Sequence, residues 1–226
     1  MQAAGNPLED YFDSHTVGPG IWKWRHYFSA YDRHLAKFRG QPVHVLEVGI
    51  YSGGSLDMWR HYFGETAHIY GVDVQPACRA YERAGTRILI GDQADADFWK
   101  SFKRDVPRLD VVIDDGGHQP SQQIATLEAL LPHLQPGGVY MCEDIHGPEN
   151  LFCSYLDGIS RNLHDTSGWE TGASLRVDTI EWQMLVDSVH LYPFLAVVER
   201  RAADLHLLEA EKHGTEWQPF FKTPPS

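Results

Sequence analysis

The chain is short of positive charge, of cysteine and of long apolar runs, and each shortage narrows the functions open to it. Nineteen Lys and Arg stand against 31 Asp and Glu, a formal charge of −12. That is the wrong sign for a surface that neutralises phosphate backbones, so nucleic acid and anionic membranes are not expected partners. The three cysteines, Cys78, Cys142 and Cys153, have no CxxC spacing, which argues against a disulfide framework and a zinc knuckle alike. The N-terminal stretch carries Glu9, Asp10, Asp13, His15, Lys23 and Arg25 and lacks the apolar run that a signal peptide or membrane span needs. A soluble, cytoplasmic protein is expected. No repeat, no low-complexity tract, no GxGxxG and no Lys-bearing phosphate loop is present, and the last two absences count against a dinucleotide fingerprint and a Walker A site.

What is present is the grammar of an α/β domain. Short apolar runs at Val43 to Val48, His68 to Val72, Arg87 to Ile90, Asp110 to Ile113 and Val139 to Cys142 alternate with longer mixed segments, as in βαβ units of a sheet covered on both faces. Gln119 to Leu134 predicts a helix with Ile124, Leu127, Leu130, Leu131 and Leu134 on one face, stopped by Pro136-Gly137-Gly138. Two further runs, Ser188 to Tyr192 and Phe194 to Val198, flank a single Pro193, which suits a tight antiparallel hairpin and not a parallel crossover.

A single domain over residues 1–226 is expected, and within it three regions surround the core of residues 41–200. Residues 1–40, rich in Tyr and Trp, predict a helical cap with an amphipathic helix after Pro19-Gly20. Residues 147–187, with Phe152, Tyr155, Trp169 and Trp182, form a lid or substrate wall, longer than an ordinary connection. Residues 201–226 form a tail whose Trp217, Phe220 and Phe221 suit either core packing or a homo-oligomer contact.

Chemistry-bearing residues gather at the ends of the predicted strands. The first strand runs into Glu47-Val48-Gly49-Ile50-Tyr51-Ser52-Gly53-Gly54-Ser55, a glycine-rich turn that lets a ligand approach backbone N–H groups. The second ends in Gly71-Val72-Asp73, an acid about twenty residues beyond the turn, where a carboxylate can accept from ribose hydroxyls. The third is followed by Gly91-Asp92-Gln93, where Asp92 can meet an adenine amino group. Taken singly, each acid also reads as a turn or helix cap.

These residues resemble class I S-adenosylmethionine methyltransferases, whose E/D-x-G-x-G-x-G motif stands here as Glu47 to Gly53, with Tyr51 in place of the middle glycine. The resemblance implies a Rossmann-like fold, a mostly parallel seven-stranded sheet closed by a C-terminal antiparallel hairpin. It implies S-adenosylmethionine as cofactor, with S-adenosylhomocysteine as product. Its contacts would be Glu47, Gly49, Tyr51, Ser52, Ser55, Asp73, Gln75, Asp92 and Gln93, with Asp114 set against the methionine ammonium.

The fourth and fifth strands end in Asp114-Asp115-Gly116-Gly117-His118 and Glu143-Asp144-Ile145-His146. Neighbouring strands lie about 5 Å apart, so acids from the two ends can converge. Isolated acids at such positions cap the following helices; four beside one cleft favour a hard cation such as Mg²⁺ that relieves their repulsion. The paired motifs are similar to those of metal-dependent sugar O-methyltransferases of the macrocin and mycinamicin type, with a more distant likeness to the cephalosporin hydroxylase type. That resemblance implies Asp115, Glu143 and Asp144 as Mg²⁺ ligands and His118 as base.

A poorly acidic hydroxyl must lose its proton as it attacks a methyl carbon, and a metal beside a base suits that need. The expected acceptor is a small-molecule hydroxyl, a sugar on a glycosylated natural product first, with a catechol or another vicinal diol using the same geometry. A dehydrogenase lacks its fingerprint here, a facial-triad oxygenase would need more His ligands, and a non-catalytic cofactor-binding module remains the alternative outside enzymes.

Overall fold

A computed structural model describes residues 5–167, 176–211, 213 and 214. Along the chain run α1 (Pro7–Ser14), α2 (Tyr27–Leu35), a 3-10 turn (Ala36–Phe38), β1 (His44–Val48), α3 (Gly54–Phe63), β2 (His68–Asp73), a 3-10 helix (Pro76–Tyr81) and β3 (Thr86–Ile90). Then come α4 (Ala96–Asp105), β4 (Leu109–Asp114), α5 (Pro120–Leu130), β5 (Leu134–Cys142), α6 (Leu151–Asn162), β6 (Arg176–Asp178), α7 (Glu181–Leu185), β7 (Val186–Tyr192), β8 (Leu195–Arg200) and β9 (Leu207–Glu209).

Seven strands make one sheet in the order β3-β2-β1-β4-β5-β8-β7. Its first five members are parallel and β8 and β7 run antiparallel, the Rossmann-like plan with a closing hairpin. The strands β6 and β9 pair separately. Every residue of β4 is buried, as a strand covered on both faces requires.

Because side chains alternate along a strand, the sheet feeds two cores. Val45, Val111 and Met141 point to one face and pack with Leu8, Tyr27, Tyr31, Trp59 and Phe63 of α1, α2 and α3. Leu46, Val112 and Tyr140 point to the other and pack with Trp99, Phe102, Leu127, Leu130 and Phe152 of α4, α5 and α6. Tyr27, Phe28 and Tyr31 are fully buried. Each such aromatic contributes roughly 1.5–3 kcal/mol of transfer free energy, so α2 is a structural layer as well as a cap.

Three local expectations shift. The cap holds two helices, with residues 15–26 lying outside both; Trp22 is left 84% exposed there. The helix expected to reach Leu134 ends at Leu130, and Leu134 already belongs to β5. Pro136-Gly137-Gly138 lies inside that strand instead of stopping the helix. Gly137 takes φ 79° and its N–H donates to Arg201 O, while the register opposite slips between Leu109 and Val111. In the hairpin Phe194 has φ 60° and joins Pro193 in the turn, so β8 begins at Leu195. Trp169, Trp217, Phe220 and Phe221 lie outside the described residues. Among the described residues no helix is long and apolar enough to cross a membrane.

Candidate active site

The strand order reverses between β1 and β4, and open α/β sheets bind ligands outside the carboxyl ends of the strands at such a point. A cavity of about 820 Å³ opens there, within the usual size of cofactor and substrate clefts.

Its first wall is the glycine turn. Gly49 has φ 88°, and a Cβ on it would fall 2.0 Å from the Asp115 carbonyl oxygen, so the crossing of the turn over the end of β4 requires glycine. Asp73 Oδ2 accepts from Ile50 N at 2.9 Å and its Oδ1 from Gln75 N at 2.8 Å. The carboxylate thus fastens the turn to the end of β2. Gly49, Tyr51, Ser52, Ser55, Asp73, Gln75, Asp92 and Gln93 all line the cavity.

Glu47 and Asp114, also expected among the cofactor contacts, do not line it. Glu47 is fully buried and accepts from Ser55 Oγ at 2.6 Å and Trp59 Nε1 at 3.0 Å; it braces the turn from beneath. Asp114 follows Ile113 and therefore points to the opposite sheet face from Asp115. There its carboxylate accepts from Gln93 Nε2 at 2.9 Å and Tyr140 OH at 2.6 Å. Burial pushes its carboxyl up to about 6, against the pull of the Tyr140 and Gln93 hydrogen bonds.

The second wall is acidic. Asp115 and Glu143 follow β4 and β5 in parallel register, with Glu143 N donating to Asp114 O and Asp115 N donating to Val48 O, both at 2.9 Å. One ligand atom each from Asp115, His118 and Asp144 lies within 4.8 Å of the others. The Nδ1 of His118 is buried without a hydrogen-bond partner, and its Nε2 lies 3.9 Å from Asp144 Oδ2. Tyr51, His118 and Asp144 hold φ of 49°, 56° and 55°. Such left-handed backbone is costly for non-glycine residues and is retained where a site demands it.

This set fits a divalent cation at Asp115 and Asp144, with an imidazole alongside. Glu143 lies in the same wall, but its carboxylate is engaged from the N-terminal side. Lys23 Nζ sits 3.0 Å from Glu143 Oε2 and 2.6 Å from Asp115 Oδ2, and Tyr31 OH donates to Glu143 Oε1 at 2.6 Å. Burial pushes the Glu143 carboxyl up, opposed by Lys23. Burial also pulls on the Lys23 ammonium, but Asp115, Glu143 and Glu47 together outweigh it and hold the ammonium charged.

Asp144 is held by two more residues of the same segment: Trp24 Nε1 and Tyr27 OH each donate to its Oδ1 at 2.9 Å. None of Lys23, Trp24, Tyr27 and Tyr31 is among the site residues that the sequence predicts. The signal available was a lone Lys between two Trp in an acidic chain, followed by Tyr27 and Tyr31 at a spacing that shares one helix face.

A family model described as "Methyltransferase domain" matches residues 46–145. The chain is 38% identical over 197 residues to demethylmacrocin O-methyltransferase of Streptomyces fradiae, covering 82% of this chain and 47% of that one. It is 30% identical over 211 residues to 8-demethyl-8-alpha-L-rhamnosyl tetracenomycin-C 2'-O-methyltransferase of Streptomyces olivaceus, covering 84% and 54%. The fold matches MycE methyltransferase from the mycinamycin biosynthetic pathway, solved in complex with Mg and SAH. That match has a TM-score of 0.69 and 27% identity, over 87% of this chain and 54% of that one.

The chain thus spans about half the length of the relatives it matches. Residues 46–145 match the model of a methyltransferase domain, in a chain that over more than four fifths of its length is similar to Streptomyces O-methyltransferases.

Proposed function

We propose that the chain is an S-adenosylmethionine- and Mg²⁺-dependent O-methyltransferase whose acceptor is a sugar hydroxyl of a glycosylated natural product. One observation carries the reading: Asp115, His118 and Asp144, from two separate strand ends, come within 4.8 Å of one another at the edge of a cofactor-sized cavity. The rhamnosyl group in the name of one relative supports a sugar, and the acidic balance supports a small molecule over nucleic acid. A cytoplasmic setting and a homo-oligomer belong to the same reading; sedimentation velocity tests the latter.

In this reading the glycine turn, Asp73 and Asp92 bind the cofactor, whose sulfonium supplies the methyl group and leaves as S-adenosylhomocysteine. Asp115 and Asp144 would hold Mg²⁺, with Glu143 the third carboxylate of the group; when bound, the cation would supply the charge that lowers a hydroxyl's pKa. His118 accepts the hydroxyl proton at Nε2, because Nδ1 is buried, and Asp144 Oδ2 stabilises the resulting imidazolium. The new C–O bond forms as the C–S bond breaks, so charge is conserved: the sulfonium is neutralised and the proton rests on His118.

The test is methyl transfer from S-adenosylmethionine to a panel of glycosides and phenols, with and without chelator. Glycoside methylation that stops with chelator and returns with Mg²⁺ is expected. Transfer that ignores chelator rejects the metal role, and transfer only to catechols rejects the sugar.

A further inference from the structure

The segment from Lys23 to Tyr31 reaches every carboxylate proposed for the metal. Trp24 and Tyr27 take Asp144, Tyr31 takes Glu143, and Lys23 takes Asp115 and Glu143 while standing 3.5 Å from Glu47 Oε1. We infer that Lys23 is a positioning residue of the catalytic centre: its ammonium orients Asp115 and Glu143 for the divalent cation and ties them to Glu47 under the cofactor turn. The inference rests on the Mg²⁺ reading above.

The Lys23 side chain is only 2% exposed, and an ammonium so deep is sustained only by close, multiple partners. It has three acids, from the ends of β1, β4 and β5. These three strands are neighbours in the sheet and end at the cavity, so a single cation links the cofactor wall to the acidic wall. Without it, and before a metal binds, Asp115 and Glu143 would stand as like charges with no counter-ion to orient them. The contacts of Lys23 stop short of Asp144 and His118, which leaves those two groups open to the cavity. Glu47 in turn is fixed by Ser55 and Trp59 of α3, so the orientation that Lys23 imposes is referred to a rigid helix.

A competing role is distinguishable. A lysine that merely fills space or screens charge would, on removal, change stability and leave cation affinity unmoved, or raise it by deleting a like charge. A positioning lysine lowers affinity on removal. Mn²⁺ serves as the probe, with free ion counted by electron paramagnetic resonance on the full chain. Lys23→Met is expected to weaken Mn²⁺ binding at least tenfold; unchanged or tighter binding overturns the proposal.

If Lys23→Met does not fold, Glu143→Gln is compared with Lys23→Met/Glu143→Gln, in which the buried pair leaves together. The double variant is expected to bind at least several-fold more weakly, because Asp115 still loses its partner; equal affinity overturns the role of Lys23. A wild-type chain that binds no Mn²⁺ overturns the metal reading itself and this role with it.

Discussion

His118 and Asp144 face each other at the edge of the cavity, Nε2 to Oδ2 at 3.9 Å, and both hold left-handed backbone, with φ of 56° and 55°. They come from different strand ends, so two strained loops are folded to bring one imidazole beside one carboxylate. Left-handed backbone is uncommon at non-glycine residues, and the role proposed for this pair is one that would account for its cost.

From that pairing, His118→Ala should lower the turnover of methyl transfer by about 10²- to 10⁴-fold, the usual worth of a general base. Affinity for S-adenosylhomocysteine, measured by calorimetry, should stay within a few-fold of wild type. Turnover equal to wild type removes His118 from the chemistry.

Tyr27 both donates to Asp144 Oδ1 and accepts from Asp144 N, at 2.9 and 3.2 Å. Tyr27→Phe leaves that amide short of its partner and should cost about 1–2 kcal/mol in denaturant unfolding. Trp24 still holds the same oxygen, so Mn²⁺ affinity should fall without being abolished. Loss of all cation binding would show that Tyr27 does more than orient.

Gly49 cannot be replaced without moving β4. In Gly49→Ala the methyl would meet the Asp115 carbonyl at 2.0 Å on backbone of φ 88°. Strain and overlap together should cost on the order of 3 kcal/mol or more. Urea unfolding checks this, and a loss below about 1 kcal/mol would contradict the close crossing.

Stability responds to pH at His133, whose ring is hydrogen-bonded to Val106 O at 2.7 Å. Burial lowers its pKa from 6.5, against the Val106 bond that raises it. Above that ordinary value both folded and unfolded chains are neutral at this residue. As pH falls below it the unfolded chain takes up a proton that the folded chain resists, so stability is lost on acidification. The melting-temperature advantage of wild type over His133→Gln should therefore shrink from pH 7.5 to pH 5.5, both chosen to bracket the 6.5 value. An advantage that grows would reverse the assignment.

Much of the frame is legible in the residues. The apolar runs mark four of the five parallel strands to within a residue at either end and the last part of β5, which begins earlier at Leu134, and the acids after β4 and β5 mark the wall where the structure brings Asp115 and Asp144 together. Period-two alternation is less legible. Asp114 and Asp115 are neighbours in sequence, yet the pleat sends one to Tyr140 and the other to Lys23, and motif spacing alone does not say which faces the cavity.

Glu47 shows a second gap, since its partners Ser55 and Trp59 lie a helical turn or more beyond it, and only the packing of α3 on the sheet turns the carboxylate inward. Lys23 was illegible for a third reason. Its three acids sit at Glu47, Asp115 and Glu143, and nothing local signals a contact that depends on where the cap folds back.

The most direct measurement is the anomalous difference map of crystals grown with Mn²⁺ and S-adenosylhomocysteine. The account predicts one strong peak at Asp115, Asp144 and Glu143, next to His118 and facing the cofactor sulfur across the cavity. A cofactor bound in the cavity with no peak at these carboxylates, or a peak held by other residues, would contradict it.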